Sequence, residues 1–98
     1  MADLKNSQGK LTFLRAHDVG TGFGPPSDQL DVEVVFMLDS VPKGAFGFQL
    51  RNDANEPVRE AMVGLLRDAY VNNLKVSVDY FIDPGKHNGR AFRIALVR

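Results

Sequence analysis

Residues 55–72 read NEPVREAMVGLLRDAYVN, and this run decides the fold because it is the one helix-like pattern among strand-like ones. Val58, Met62, Leu65, Leu66, Ala69 and Tyr70 recur at three- and four-residue spacing, which lines their side chains along one stripe of a helix. Arg59, Glu60, Arg67 and Asp68 fall elsewhere on the cylinder. Asn55 stands where an N-cap belongs, and Pro57 lies in the first turn, where a missing N–H costs little. Asn72 and Asn73 can close the other end, since asparagine tolerates the left-handed backbone of helix C-termini. Gly64 costs about 1 kcal/mol relative to alanine inside a helix, a loss that packing of the stripe is expected to absorb.

Outward from the helix the period changes to two. Residues 10–16 alternate Leu11 and Phe13 with Thr12, and Leu14 adds an apolar group on the second face. Residues 30–39 put Leu30, Val32, Val34, Phe36 and Leu38 on one face and Asp31 and Glu33 on the other, until Val35 and Met37 replace the acids. After a turn at 40–44, residues 45–50 carry Phe46, Phe48 and Leu50 on one face, a good antiparallel partner for the preceding strand. Beyond the helix, residues 74–81 set Leu74, Val76, Val78 and Tyr80 inward against Lys75, Ser77 and Asp79. Asp83-Pro84-Gly85 and Asn88-Gly89 mark turns before a last strand, 90–97, with Phe92, Ile94 and Leu96 inward and Arg93 outward. Residues 1–9 are polar and without period, and are expected to form a flexible lead-in to a single domain spanning 10–98.

The order is three strands, one helix and two strands, with an apolar face on nearly every strand. A five-stranded β-barrel whose open end is plugged by the helix stripe is expected ahead of an open sheet with the helix across it. This order over residues 10–97 resembles the OB fold, a Greek-key barrel with a helix between its third and fourth strands. The segment REAMVGLLRDAYVNNLKVSVDYF with NGRAFRIALVR is similar to the carboxyl half of the small OB-fold receptor-binding subunits of bacterial A-B toxins. The chain departs from those subunits in lacking their usual cysteine pair and secretion signal, so the resemblance implies architecture alone.

Composition narrows the function. At 98 residues the chain is one domain, and 12 basic against 12 acidic residues give zero net charge. Proteins whose affinity comes from neutralising phosphates display a basic excess, so nucleic acid is not the first expectation. The absence of cysteine excludes a disulfide framework, a thiolate zinc site and a cysteine nucleophile. No apolar run approaches a membrane span and residues 1–10 lack the apolar core of a signal peptide, so a cytoplasmic address is expected by default.

Candidate chemistry concentrates in two loops. Residues 17–29, HDVGTGFGPPSDQ, are long for a connection without regular structure, which is commonly a mark of function. His17 and His87 lack metal-ligand or triad spacing, and neither a catalytic centre, a metal site nor a cofactor is expected. Gly20, Gly22 and Gly24 precede Pro25-Pro26 and a strand rather than a helix N-terminus, so they are loop backbone and not a phosphate cradle. The OB-like order implies that the 17–29 and 82–90 loops lie together at the binding end. There Phe23 supplies apolar area, while His17, Asp28, Lys86, His87 and Arg90 supply polar groups of both signs, suited to a small polar ligand, a glycan or a protein partner. Leu14, Val35, Met37, Ala95 and Val97 form an outer apolar set that either the helix or a second subunit must cover, and homo-oligomerisation is expected ahead of cover within the chain. The expectation is a non-catalytic binding or assembly module. The alternative is a single-stranded nucleic-acid binder, with Phe23 and Phe81 as stacking platforms and Lys86, His87, Arg90 and Arg93 as its basic group.

Overall fold

A computed structural model of the chain describes residues 3–98. Strands β1 (Asp3–Ala16), β2 (Val34–Leu38) and β3 (Phe46–Phe48) are followed by helix α1 (Glu56–Asn72) and strands β4 (Lys75–Ile82) and β5 (Gly89–Val97), the expected order. The strands close into a barrel in the order β1-β2-β3-β5-β4, with β4 pairing back onto β1. Every ladder is antiparallel except the short one between β3 and β5. Among the described residues no helix is long and apolar enough to cross a membrane.

Barrel closure corrects the reading of the N-terminus. Residues 3–9 are not a lead-in but the first half of β1, paired with β4 from Asp3↔Ile82 to Gly9↔Val76; Met1 and Ala2 lie outside the described residues. The segment is polar because much of it faces solvent, so its strand character comes from the backbone of a well-patterned neighbour rather than from alternation of its own. At Lys10–Leu11 β1 changes partner, and residues 11–16 pair with β2. Gly9 sits at this switch. A Cβ there would lie 2.5 Å from Asp39 Oδ1 and 2.7 Å from Ser40 Oγ, atoms held by hydrogen bonds from Lys10 N–H (3.0 Å) and to Gln8 C=O (2.6 Å) respectively.

Two irregularities in the ladders reverse side-chain parity. Leu11 pairs with Leu38 and Phe13 with Met37, so Thr12 is an extra residue, and Leu11 and Leu14 both pack on the main core while Phe13 faces out. Asp79 pairs with Arg93 and Tyr80 with Ala91, so Phe92 is extra in β5. Ala91 and Ile94 point inward, and Phe92, expected inside, is 37% exposed. Leu96, also expected inside, lies near the end of the barrel and is exposed.

The core joins Val34, Phe36 and Leu38 to Phe46, Phe48, Val76, Val78, Tyr80 and Ile94, and Met62, Leu66 and Ala69 of α1 complete it. The Phe46 ring meets Tyr80 edge-on, with centroids 4.6 Å apart. The buried stripe is narrower than the sequence implies, since Val58 and Tyr70 are exposed and Leu65 is only half-buried. Asn55 makes no side-chain cap among the described residues; the Asp53 carboxylate accepts from Asn55 N–H at 2.8 Å instead. Asn73 adopts the left-handed conformation at φ 55°, closing the helix as expected. A Cβ on Gly64 would meet nothing within 4 Å among the described residues, beyond the helix's own backbone.

These placements separate neighbouring positions. Leu66→Ala should lower stability by about 2–5 kcal/mol, and Leu65→Ala by clearly less. Gly64→Ala should raise it by up to about 1 kcal/mol. Chemical-denaturation midpoints measure all three, and equal losses at 65 and 66 would contradict this phasing of the helix.

Candidate functional site

Residues 17–33 leave β1 and fold back over the outer face of β2. Phe23 and Leu30 exchange backbone hydrogen bonds of 3.0 and 2.7 Å, with the 3-10 turn Pro26–Asp28 between them. Gly24 takes φ 99°, and a Cβ there would lie 2.5 Å from the Asp28 carbonyl, so the tight return needs glycine. Leu30 and Val32 join Val35 and Ala45 in a second apolar cluster, on which Phe13, Phe23 and Met37 pack. This cover corrects the outer apolar set. Val35 is fully buried and Met37 half-buried within one chain, Leu14 packs on the main core, and of the five residues only Ala95 is exposed and Val97 partly so.

Asp28 binds the two long loops together. Its carboxylate accepts from His87 N–H at 2.7 Å and from Asn88 N–H at 3.3 Å, and its carbonyl accepts from the Asn88 side-chain amide at 2.9 Å. Lys86 Nζ donates to the Ser27 carbonyl. Asn88 Oδ1 in turn accepts from Ala45 N–H at 3.0 Å, which ties in the β2–β3 turn. The three segments enclose a cleft of about 360 Å³ lined by Phe23, Pro25, Met37, Pro42, Lys43 and His87 among others. Of the six residues expected at the binding end, Phe23, Asp28 and His87 thus line one cleft, and Lys86 belongs to the clasp beside it. The Asp28 carboxylate is committed to the His87 and Asn88 backbone amides, with the His87 Nδ1 3.5 Å away. His17 is elsewhere: its Nε2 lies 2.7 Å from the Val32 carbonyl, and its buried Nδ1 has no hydrogen-bond partner among the described residues.

A second polar knot lies where β2 begins. Glu33 is buried, and Arg51 grips it with Nε and Nη2 at 2.7 Å each, while Leu50 N–H donates to it at 3.1 Å. Arg51 also donates to Asp31 at 2.7 Å. The guanidinium pKa is raised above its ordinary value, chiefly by the Glu33 hydrogen bonds and then by Asp31. Glu33 was read as an outward acid on alternation alone, and the distant Arg51 that lets it be buried carries no local signal.

Arg90 belongs to another opening. β3 and β5 pair only at Phe46↔Gly89 and Gly47↔Arg90. Past that point a cleft of about 300 Å³ is lined by Phe48 and Gln49 from one side, Ala91 and Phe92 from the other, with Arg59 of α1, Phe81 of β4, Arg90, Asp31 and Val32. Phe81 and Phe92 stack with centroids 4.9 Å apart and planes 21° from parallel. The Arg93 guanidinium sits 5.3 Å from the Phe92 centroid. Arg93 also donates to Asp79 at 2.6 Å, and Asn6 donates to the same carboxylate at 2.8 Å. The Asn6 bond first, then Arg93, holds the Asp79 pKa below its usual value. Arg59, off the apolar stripe of the helix, donates to the Gln49 carbonyl at 2.7 Å.

Among the described residues no group of three or more His, Asp or Glu could hold a metal ion. No family model, curated protein or solved structure matches the chain.

The clasp makes a direct forecast. Asp28→Ala strands the His87 and Asn88 amides, and should cost about 1.5–3 kcal/mol, the range for a hydrogen bond to a charged group. Amide exchange at 86–89 should quicken more than exchange in β4, and unchanged protection of both amides would show that Asp28 does not hold the loops.

Proposed function

We propose that this protein is a non-catalytic binding module of OB-like architecture, whose contact surface is the end where the 17–29 and 82–90 loops meet. The observation that carries this reading is the Asp28 clasp, which bonds both loops and, through Asn88, the β2–β3 turn around one cleft. Loops already bonded to one another lose little conformational entropy when a ligand arrives, and preorganisation of this kind favours binding. The wall offers apolar surface from Phe23, Pro25, Met37 and Pro42, with Lys43 and the exposed imidazole of His87 as polar groups. That mixture suits a polar, largely neutral ligand such as a glycan, or the loop of a partner protein. The strand order and the parallel β3–β5 contact support the OB-like reading, and nothing beyond architecture supports the likeness to toxin subunits.

An assembly role is weaker. Of the apolar set expected to drive assembly, Val35 is buried and Leu14 and Met37 are packed within the chain, so binding is put ahead of self-association. The alternative, a single-stranded nucleic-acid binder, gains the stacked Phe81 and Phe92 but still lacks a basic excess.

Titration of the labelled protein with a panel of glycans should shift the amides of Phe23, Gly24, Lys43, His87 and Asn88 together. Shifts confined to α1 or to the β1–β4 face would refute the loop-end assignment. Light scattering on the same sample should return a monomer mass.

A further inference from the structure

We propose that the unpaired edge of β5 is a docking site for an extended, acidic segment of a partner protein, taken up as an added strand in the seam between β3 and β5. This site goes beyond the loop-end reading and shares no lining residue with that cleft.

The edge is open along most of its length. β4 pairs with one side of β5 from Phe81↔Arg90 to Lys75↔Val97, but on the other side β3 meets it only at Phe46↔Gly89 and Gly47↔Arg90. Beside residues 91–97 no strand among the described residues takes up that second side. α1 fills the core with Met62, Leu66 and Ala69, and a helix, whose backbone bonds are made internally, offers no ladder to an edge.

Side chains hold the seam apart. β3 would continue along β5 through Gln49 and Leu50, but the backbone groups of those residues are committed elsewhere. Arg59 Nη1 donates to the Gln49 carbonyl at 2.7 Å, and Leu50 N–H donates to the buried Glu33 at 3.1 Å. The Gln49 side chain donates to the Asp31 carbonyl at 3.1 Å, which draws the segment toward the start of β2. A space of about 300 Å³ remains, lined by buried Val32, Phe48 and Ala91 and by exposed Arg90 and Phe92.

Charge selects the occupant. Residues 89–98, GRAFRIALVR, hold three arginines and no acid. A second copy paired antiparallel about Ile94 would set Arg90 opposite Arg98 at both ends, and like charges directly opposite destabilise a sheet. The edge is thus guarded against its own kind. Arg93 is already bonded to Asp79 at 2.6 Å. Arg90 has only an exposed contact with Asp83 at 3.9 Å, which solvent screens, and Arg98 is in no ion pair among the described residues. Asp31, the acid in the wall, is held by Arg51. The uncommitted charge along the seam is therefore positive and fits a strand that carries Asp or Glu. Alternate side chains of that strand would face the buried apolar wall, so apolar residues alternating with acids satisfy both of its sides. Strand addition of this kind draws affinity from main-chain hydrogen bonds and selectivity from alternate side chains.

The test titrates the isotope-labelled full chain with a short capped peptide that alternates valine with aspartate. Its controls are the same peptide with lysine for aspartate, and two versions N-methylated at either the odd or the even backbone positions. The acidic peptide should shift the amides of 91–97 saturably and slow exchange at alternate ones, because a ladder engages every second residue of an edge. It should bind about tenfold tighter than the lysine peptide. One methylated version should lose binding and the other keep it, since only one set of N–H groups faces β5. Arg90→Glu should weaken the acidic peptide about tenfold and favour the lysine one, with the unperturbed spectrum of β4 verifying the fold. No saturable shift at 91–97 would overturn the proposal and leave the arginines as a means of blunting the edge. Equal binding of the acidic and lysine peptides, or the same response to both methylated versions, would overturn it as well. A dimer mass with 91–97 protected before any peptide is added would overturn it by making a second copy the occupant. Shifts at the loop cleft alone would overturn it while leaving the loop-end reading intact.

Discussion

Everything in this barrel depends on one strand having two neighbours. β1 is paired with β4 through residues 3–10 and with β2 through 11–16, so it is the element that turns a sheet into a ring. The switch is made at Gly9, where a side chain would collide with Asp39 and Ser40, and is followed by the extra residue Thr12. A bulge at such a corner adds bend and twist, which closure of a narrow barrel requires. Once the ring is closed, its interior must be filled from one end, and the stripe Met62, Leu66 and Ala69 does so. Closure is uneven, because β3 is three residues long and meets β5 at two positions. The seam is the geometric remainder of that mismatch.

Charged loop residues turn out to be largely spoken for. Asp28, Lys86 and Asn88 bond one loop to another, and Arg51 pairs with both Asp31 and the buried Glu33. A buried carboxylate is tolerated only with such a partner, so these groups define how segments dock rather than what they bind. In the walls of the two clefts the least committed groups are Lys43 and Arg90, while the His87 imidazole lies 3.5 Å from Asp28 and Arg59 donates to the Gln49 carbonyl.

The sequence carried the fold well where periodicity was local. The helix 56–72, the alternation of β4 and the order of elements could all be read, because each rests on the spacing of neighbouring side chains. Failure came at the points where spacing is interrupted. One extra residue at Thr12 and one at Phe92 exchanged inside for outside, turning Leu14 into core and Phe92 into surface. Residues 3–9 were missed for a related reason: their strand is dictated by β4, some seventy positions away. The joining of the 17–29 and 82–90 loops was legible from strand order, whereas Asp28's role as their bond was not, since loop acids serve ligands and backbones equally well. The outer face of Val35 and Met37 was expected to be covered by a second subunit, and the cover came instead from Phe13, Phe23 and Leu30 of the same chain.

The pairing of β1 with β4 has a consequence for how the molecule comes into being. Its contacts run from Lys10↔Lys75 to Asp3↔Ile82, so the entropy of closing a very long loop must be met before that ladder returns any stability. A chain emerging from the ribosome holds its first strand half-partnered until β4 has been synthesised. During that interval the polar, weakly patterned character of residues 3–9 is protective, because an unpaired edge rich in Lys, Asn, Ser and Gln invites little association with other chains. The feature that hides this strand from a reader of the sequence is the one that keeps it harmless while it waits.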